Sequence, residues 1–432
     1  MSTQSPKPRR EALGRTHPLF PWAVWGLGAL LFFYAFFHRV APAVMVNELM
    51  RDFAVGGAIL GTLSALYFYP YAALQIPLGL MLDRWGPRRV LTAAAAFCGL
   101  GSLVFATADS LAVAYVGRAM IGAGAAFGWI GTLNLIAIWF PPSRFAMLAG
   151  VTAMIGMSGA VAGQAPLAQV IHTFGWRETL SAAALFGGVL AMAFWFVVRN
   201  PDGKRGGNGG RSSEGSIWNN LREVLSTTQI WYVGLVIAMV SVPLLTFASL
   251  WGVPYMMSAF AMSRTEAASS TSLLLIGWAF GAPLVGWLSD RLKNRKIPLL
   301  FSAIGSFAAI LAVAYVPGLP KNAVLFLIFF NGFAGGASVV TYATGRENVR
   351  AVVSAATMGT MNCLAIGVSA IFQPVMGLIL DMFWDGRMEA GARIYGVEAY
   401  RMAFLIYVAC GAIAVVASIL VKETRCQQVV GN

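Results

Sequence analysis

Long apolar runs alternate with short polar connections along almost the whole 432-residue chain. Each run is about twenty residues long, which is the length that an α-helix needs to cross the hydrocarbon core of a bilayer. Most runs are interrupted by Gly, Pro, Ser or Thr, which packed membrane helices tolerate. The pattern predicts twelve membrane-spanning helices, called spans 1 to 12, at residues 22–46, 58–81, 90–107, 111–138, 145–171, 177–198, 229–256, 267–289, 297–316, 322–344, 351–380 and 400–421.

The middle of the chain differs from the rest. The segment PDGKRGGNGGRSSEGS (201–216) is rich in Gly, Ser and charge and has no apolar run, which is typical of a flexible linker. The following IWNNLREVL (217–225) is expected to form a short interfacial helix. We therefore predict an N-terminal tail, a six-helix half, a linker, a second six-helix half and a C-terminal tail, at residues 1–21, 22–198, 199–228, 229–421 and 422–432.

The two halves repeat one another. GLMLDRWGPRR closes span 2 and GWLSDRLKNRK closes span 8, so that Gly79 and Asp83 recur as Gly286 and Asp290. Both pairs are separated by the same shift of 207 residues. Repeated halves are known in secondary transporters, where the substrate site lies near the bilayer midplane between them.

Composition and charge place the chain in a membrane with a defined orientation. Only 11% of residues are charged, against about a quarter in a soluble domain. The net charge of +13 does not indicate nucleic-acid binding, because the basic residues lie in the short connections. The termini and the even-numbered connections hold 21 Lys and Arg, and the odd-numbered connections hold seven. This bias predicts cytoplasmic termini, and we expect a multi-pass protein of the bacterial inner membrane.

The loop motifs and repeat resemble the major facilitator superfamily, and Arg118 in GRAMIGAGAA is similar to the family's motif in span 4. The resemblance implies an all-α polytopic membrane fold with twelve transmembrane helices in two pseudo-symmetric halves. It also implies secondary transport by alternating access rather than enzymatic activity, with no cofactor and no metal. No G-x-x-x-x-G-K-[ST] segment is present, so we expect the energy to come from an ion gradient or a counter-substrate.

The same resemblance assigns a conformational latch to the loop motifs, at Asp83, Arg84, Arg88, Asp290 and Arg291. An acid near a helix N-terminus is stabilised by the free N–H groups of the first turn, and the arginines offer it partners. The alternative interpretation is a turn that carries orientation charges.

Within the superfamily, HRVAPAVM and the ELMRDF that follows it resemble the organophosphate antiporters and the anion:cation symporters. Arg39 matches the span 1 arginine of the organophosphate antiporters, and Tyr71 matches a tyrosine of their span 2. Gln75 and Thr246 stand where they have a lysine and a second arginine. This chain therefore lacks two of the positive charges that bind a phosphate dianion in those antiporters. A monoanion such as a carboxylate matches a single arginine better.

Charge inside the spans favours the same class of substrate. Arg39 and Arg118 lie in span interiors, whereas the acids lie at or near span ends. A buried arginine without a partner is unfavourable until an anion arrives. We expect a small organic anion or zwitterion, a carboxylate or an amino-acid-like molecule, carried by proton symport. The alternative is export of a metabolite, siderophore or drug by proton antiport.

Polar residues of span 2 share one helix face. Ser64, Tyr67, Tyr71 and Gln75 are separated by three or four residues, so they are expected to face the central pathway rather than lipid. Interhelical hydrogen bonding is the alternative. Further candidates for substrate contact in other spans, for each of which packing is an equal alternative, are Trp129, Asn134, Gln164, Thr246, Asn331, Asn362 and Gln373.

His38 and Arg118 are the candidates for proton coupling. An ordinary histidine exchanges a proton near neutral pH, and His38 lies in a span interior beside Arg39. The two side chains are expected to point about 100° apart around the helix. The alternatives are a neutral histidine bonded to a helix carbonyl and an arginine bonded to carbonyls between helices. The expected partners are a small-molecule substrate, H⁺ and the lipid bilayer, with a monomer as the expected state.

Overall fold

The computed structural model describes residues 19–75, 77–200, 217–350 and 353–429. Most of the predicted N-terminal tail and residues 201–216 of the linker lie outside the described residues. The described α-helices are α1 Phe20–Val40, α2 Val46–Asp52, α3 Gly57–Ala65, α4 Phe68–Leu74, α5 Leu78–Ala106, α6 Leu111–Ala125, α7 Phe127–Trp139, α8 Pro142–Ala162, α9 Ala165–Phe174, α10 Trp176–Val197, α11 Ile217–Ser226, α12 Thr228–Thr246, α13 Gly252–Phe260, α14 Arg264–Leu292, α15 Lys296–Tyr315, α16 Lys321–Gly336, α17 Val340–Glu347, α18 Ser354–Met382 and α19 Val397–Leu420. The other elements are 3₁₀ helices Ala41–Val44 and Ala337–Val339, a π-helix Phe247–Trp251, and strands β1 Met388–Glu389 and β2 Ala392–Arg393.

Twelve stretches of the described chain are long and apolar enough to cross a membrane, and each corresponds to one predicted span. The prediction of twelve spans is confirmed. Their bounds are span 1 Phe20–Val44, span 2 Gly57–Leu74, span 3 Arg84–Ala106, span 4 Leu111–Trp139, span 5 Ser143–Phe174, span 6 Trp176–Val197, span 7 Thr228–Phe260, span 8 Arg264–Leu292, span 9 Lys296–Tyr315, span 10 Lys321–Glu347, span 11 Ala356–Met382 and span 12 Val397–Leu420.

Local sequence explains where several spans break. Gly86 has a φ of 77° and kinks α5 in the first turn of span 3, and the regular helix of the span continues from Pro87. Span 5 is interrupted at Gln164, whose backbone is not helical, and Pro166 cannot donate to the helix before it. In span 7 the helix passes into a π-helix after Pro243, which removes one backbone donor.

Spans 1 to 6 pack together as a first half, and spans 7 to 12 as a second half. Spans 3 and 6, 3 and 4, and 1 and 5 form close pairs in the first half, and spans 8 and 10, 9 and 12, and 7 and 11 in the second. The main contacts between the halves join span 2 to span 11 and span 5 to span 8.

The two ends of the bundle differ in how the halves meet. We call the end that carries Phe20 and Leu420 the terminal face, and the other end the opposite face. Hydrogen bonds and ion pairs that join the two halves in the described chain lie between the opposite face and the middle of the spans. The halves are therefore closed against each other at the opposite face.

Two smaller elements flank the bundle. The predicted interfacial helix is present as α11, which packs against α12 and α18, and its Glu223 forms an ion pair with Arg350. At the opposite face β1 and β2 form an antiparallel hairpin between spans 11 and 12, which the hydropathy pattern did not predict. This hairpin brings Arg393 and Tyr395 back to the end of span 11.

Candidate functional site

Arg39 lies inside the protein near the end of span 1, with 8% of its surface exposed. Its guanidinium carbon is 4.1 Å from the centre of the Phe36 ring, 5.1 Å from that of Tyr71 and 5.8 Å from that of Tyr67. Aromatic faces attract a cation at these distances. Rings from spans 1 and 2 therefore hold the Arg39 charge in place without neutralising it.

No ion pair of Arg39 occurs among the described residues. Its buried Nε atom also has no hydrogen-bond partner there. A buried cation whose fork of N–H donors is not saturated suits a planar anion such as a carboxylate. Anion binding at Arg39 therefore stays a prediction that this geometry allows.

The polar stripe of span 2 is buried within the bundle. Ser64, Tyr67, Tyr71 and Gln75 each expose 8% of their surface or less. The hydroxyl of Tyr67 donates to the Ala35 carbonyl at 2.9 Å, so this residue ties span 2 to span 1. The rings of Tyr67 and Tyr71 stack with centres 5.9 Å apart. Of the stripe, Tyr67 and Tyr71 are the residues that meet Arg39.

Tyr342 of span 10 and Asn362 of span 11 are linked within the second half. The Tyr342 hydroxyl donates to Asn362 Oδ1 at 3.3 Å. Asn362 was predicted from the sequence, whereas Tyr342 and Phe36 were missed. The 3₁₀ helix Ala337–Val339 interrupts span 10, so α-helical spacing could not relate Tyr342 to Asn331, the candidate in that span.

Arg118 stands over the Tyr67 ring at 5.3 Å and bonds to the backbone of His38. Arg118 is 1% exposed and donates to the carbonyls of His38, at 3.0 Å, and Ser64, at 3.5 Å. It therefore links spans 4, 1 and 2 through backbone carbonyls. The His38 ring meets Tyr34 edge-on at 4.5 Å, and its buried Nε2 has no partner among the described residues. His38 and Arg39 contact different rings, as the 100° separation predicted.

Three of the candidates surround the π-helix of span 7. Gln164 donates to the Ala248 carbonyl and Gln373 to the Leu245 carbonyl, both at 2.6 Å. The Thr246 hydroxyl bonds to Tyr407 at 2.9 Å. A π-helix leaves some carbonyls without their regular helical donor, and the two glutamines supply it. All three residues are fully buried and none has a described contact with Arg39.

The remaining candidates are spread over both halves. Trp129 packs against Phe32 with ring centres 5.2 Å apart, and Asn134 is half-buried five residues further along span 4. Asn331 is buried in span 10 and donates to the carbonyl and hydroxyl of Ser306 at 2.6 and 3.0 Å. Asn331 also lines a cavity of the second half, between spans 7, 8, 9 and 10.

The closed opposite face is held by Asp381 at the end of span 11. Its carboxylate accepts from the backbone N–H groups of Gly57 and Ala58, both at 2.9 Å, which begin span 2. It also accepts from Tyr395 at 2.5 Å and Arg393 at 3.0 Å. This carboxylate therefore caps a helix of the first half while remaining tied to its own half. We call these five residues the Asp381 lock.

Backbone contact reinforces this lock. A Cβ added at Gly377 would lie 2.1 Å from the Gly57 carbonyl oxygen, and one added at Gly61 would lie 2.5 Å from that of Gln373. Spans 2 and 11 thus approach each other along a glycine seam formed by Gly57, Gly61 and Gly377. Small residues of this kind allow membrane helices to pack closely.

The predicted latch residues at the terminal face make contacts within their own halves. Arg88 donates through its backbone N–H to Asn200 and through Nε to the Trp195 carbonyl. Arg291 stands over the Trp287 ring at 5.3 Å. Arg84 is exposed, and the side chain of Asp83 lies outside the part of the chain that is described.

Arg295, which sequence reasoning missed, is the partner of Asp290. The two pair at 2.6 Å, and Arg295 also pairs with Glu347 at 2.7 Å. Burial alone would lower the pKa of Arg295, but the hydrogen bonds that it donates to Glu347 and Asp290 raise this pKa above its ordinary value. Lys293, with a φ of 48°, turns the chain so that Arg295 returns to Asp290. The cluster ties the ends of spans 8 and 10 together.

Comparison with known proteins gives a family match and several distant relatives. The model described as Major Facilitator Superfamily matches residues 27–370 and 246–427. The chain is 23% identical to "Probable sulfoacetate transporter SauU" of Cupriavidus necator over 408 residues, which is 88% of this chain and 93% of that protein. It is 22% identical to "Probable galactarate/D-glucarate transporter GudP" of Bacillus subtilis over 61% of this chain and 63% of that protein.

Solved structures show the same fold at low identity. A bacterial homologue of the human lysosomal transporter Spinster, in an inward-facing and unoccupied conformation, aligns with a TM-score of 0.76 and 18% identity over 94% of this chain and 98% of that one. A D-xylose–proton symporter aligns with a TM-score of 0.72 and 16% identity over 96% of this chain and 100% of that one. None of the described residues form a cluster that could hold a metal ion.

Proposed function

This chain belongs to the Major Facilitator Superfamily and is a membrane transporter; from that premise we propose that it carries a small organic anion, bound at Arg39, by alternating access. The observation that carries the proposal is the buried guanidinium of Arg39, which has no acidic partner among the described residues. An anion that enters this site gains charge-assisted hydrogen bonds where the free protein has an unpaired charge.

The relatives support an anionic cargo. The names of the Cupriavidus and Bacillus proteins refer to sulfoacetate and to galactarate or D-glucarate, which are carboxylic acids. Arg39 and Tyr71 would hold one acid group from the first half. Tyr342 and Asn362, which bond to each other in the second half, are the contacts that we propose on the other side, so that the substrate would contact both halves at once. A substrate that contacts both halves can bind one conformation of the transporter more tightly than the other, and it thereby changes the relative stability of the two conformations.

We further propose proton symport, with the terminal face in the cytoplasm. The excess of Lys and Arg in connections on that side supports the orientation. The contacts at the opposite face then describe a state that is closed to the outside. His38 is the proposed proton site, because its buried Nε2 has no partner in the described chain and histidine can exchange a proton at physiological pH.

Binding is tested with purified protein in detergent. A ligand that binds the folded state raises its melting temperature, so a panel of carboxylates, sulfonates, sugar phosphates and organic cations reveals the class. We expect carboxylates to stabilise the protein. Arg39→Gln should lower the affinity for carboxylates about 10- to 100-fold, because it removes one or two charge-assisted hydrogen bonds. Arg144→Gln, an exposed arginine of span 5, is the matched control. Stabilisation by cations alone would overturn the proposal.

Direction is tested in proteoliposomes loaded with buffer at fixed pH. An acidic exterior should drive accumulation of labelled anion if the protein is a symporter. The same gradient should drive the anion outward if the protein exports its substrate by proton antiport. Exchange of labelled for unlabelled anion without a gradient checks that the carrier is active in either case.

A further inference from the structure

We propose that the outer surface of the first half binds the headgroup of a zwitterionic aminophospholipid, which carries one phosphate and one primary ammonium group. The site is a cleft at the opposite face, and its polar lining residues are Thr107, Asp109, Arg177, Glu178 and Ser181. We call it the headgroup cleft. The proposal is independent of the substrate site, because these residues have no described contact with Arg39.

The headgroup cleft lies where span 3 ends and span 6 begins. Its volume of about 650 Å³ falls in the range of roughly 300–1,000 Å³ that is usual for small-molecule sites. Nη1 of Arg177 donates to the carbonyl of Ala106, at 3.0 Å, and to that of Ala108, at 2.8 Å. These bonds hold the start of span 6 against the connection between spans 3 and 4. Arg177 and Asp109, the residue after Ala108, are thereby brought into the same cleft.

Arg177 is the partner for the phosphate. Its guanidinium stands over the Trp176 ring at 4.5 Å, and its Nε lies 3.8 Å from Asp52. Its Nη2 donates no hydrogen bond to the described residues, and 33% of the side chain is exposed. Arginine binds phosphate oxygens through charge-assisted hydrogen bonds. The contacts of Nη1 and Nε fix the guanidinium, and Nη2 remains available to a phosphate.

The other polar groups of the cleft are acceptors that suit an ammonium. Asp109 and Glu178 are exposed and have no ion pair within the described chain. The hydroxyls of Thr107 and Ser181 each donate to the backbone carbonyl four residues before them, at 2.9 and 2.8 Å. Their oxygens are therefore left to accept. A primary ammonium has three N–H donors for such acceptors, whereas the trimethylammonium of choline has none.

Apolar side chains lead from the cleft along the surface of spans 3 and 6. Leu103 and Leu100 of span 3, and Leu185 and Val189 of span 6, lie about one and two helical turns from the cleft toward the middle of their spans. Between 44 and 71% of the surface of each is exposed. In a bilayer such side chains contact acyl chains. The charged cleft is therefore continuous with a surface for lipid tails, which favours a lipid over a soluble phosphate compound.

Three phospholipids with identical acyl chains test the headgroup: phosphatidylethanolamine, phosphatidylcholine and phosphatidylglycerol. Native mass spectrometry of the protein purified in detergent measures the affinity for each. We expect phosphatidylethanolamine to bind at least about tenfold more tightly than the other two, because only its ammonium makes charge-assisted hydrogen bonds to the carboxylates.

A soluble headgroup tests whether the occupant is a lipid. Glycerophosphoethanolamine has the same phosphate and ammonium but no acyl chains. It should bind at least about tenfold more weakly than phosphatidylethanolamine, because it buries no apolar surface on spans 3 and 6. Equal affinity for the two compounds would overturn the lipid as the occupant.

The double variant Asp109→Asn, Glu178→Gln should lower the affinity for phosphatidylethanolamine to that for phosphatidylcholine. Asp385→Asn with Glu389→Gln is the control, because it changes the charge equally at the same face but in the second half. The melting temperature reports whether each variant folds, and Arg177 is kept because it bonds to the backbone. Equal binding of the three lipids by the wild type would overturn the site. So would a preference for phosphatidylethanolamine that survives in the first variant or disappears in the control.

Discussion

The side-chain amide of Gln164, in the first half, donates a 2.6 Å hydrogen bond to the backbone carbonyl of Ala248, in the second half. Ala248 belongs to the π-helix of span 7, and Thr271 of span 8 donates to the other end of the same amide at 3.2 Å. A transporter that opens at the opposite face has to separate these groups. The bond therefore stabilises one state of the transport cycle more than the other.

Replacing Gln164 by Met should favour opening of the opposite face. The Ala248 carbonyl would lose its donor in the closed state, at a cost of about 1 kcal/mol, or about a fivefold change in the ratio of the two states. Spin labels at Thr107→Cys and Asn322→Cys, exposed positions of the two halves at that face, measure the separation. The partly buried Cys363 and Cys426 are first replaced by Ser.

Gln373→Met is the control for this experiment. It removes a bond of the same length to the Leu245 carbonyl, but both residues belong to the second half. We expect a lower melting temperature and an unchanged distance distribution. A lengthening of the label distance in Gln373→Met, or none in Gln164→Met, would contradict the assignment.

The Asp381 lock should respond more strongly to substitution. Asp381→Asn removes the negative charge that faces the N–H groups of Gly57 and Ala58 and the Arg393 guanidinium. Hydrogen bonds to a charged group contribute about 1.5–3 kcal/mol. The ratio of open to closed protein should therefore rise at least about tenfold. The same pair of spin labels reports this change.

Asp385→Asn provides the matched comparison for the lock. Asp385 pairs with Arg387 in the same connection and has no described contact with the first half. The variant changes charge by the same amount in the same loop, and we expect no change in the label distance. An equal effect of both substitutions would show that charge on this loop, rather than the cap on span 2, controls opening.

Proton coupling is expected to depend on His38. In His38→Gln, accumulation of labelled anion driven by an acidic exterior should fall at least about tenfold, because glutamine cannot exchange a proton. Gradient-free exchange of the anion should continue, because Arg39 and the rings that surround it are untouched. Measuring both in the same proteoliposomes separates coupling from binding. Full proton-driven accumulation by the variant would remove His38 from the mechanism.

Acid stability should depend on Asp52, which lies between spans 1 and 2. Burial alone would raise its pKa, but the Trp176 indole, at 2.9 Å, and Arg51 hold the pKa below its ordinary value. The ionised carboxylate therefore stabilises the folded state above the unfolded pKa near 4. That contribution is lost as pH falls through the lower folded pKa.

The measurement is the difference in melting temperature between wild type and Asp52→Asn. It should stay constant from about pH 7 to pH 5 and shrink below about pH 4, where the carboxylate binds protons. Asp109→Asn, an exposed acid for which the described residues show no ion pair, should show no such trend. A difference that grows at low pH would reverse the sign of this argument.

Hydropathy was enough to predict the twelve spans, because a bilayer demands long apolar helices whatever their packing. The two arginines inside the spans could also be recognised from the sequence. A charged residue within an apolar run is costly and therefore rare. Arg118 shows the limit of that signal: it donates to the carbonyls of His38 and Ser64, although its buried Nε, like that of Arg39, has no partner in the described chain. No composition rule separates such a structural arginine from Arg39.

The glutamines show why most of the site could not be predicted. A glutamine in a span can contact a substrate, or it can donate a hydrogen bond to a carbonyl of an irregular helix. The two glutamines have the second role here because of the π-helix, and a π-helix has no recognisable sequence pattern. Arg295 was missed for a related reason. Its pairing with Asp290 depends on the left-handed backbone of Lys293, a non-glycine residue for which that conformation is uncommon.

The glycine seam between spans 2 and 11 has a consequence for turnover. Where Gly57, Gly61 and Gly377 meet, backbone touches backbone, so closing the opposite face freezes few side chains there. Fixing a long side chain costs up to about 2 kcal/mol of conformational entropy, whereas glycine has no rotamers to lose. The open and closed states can then remain close in free energy, and a carrier needs that balance to pass through both states in every cycle.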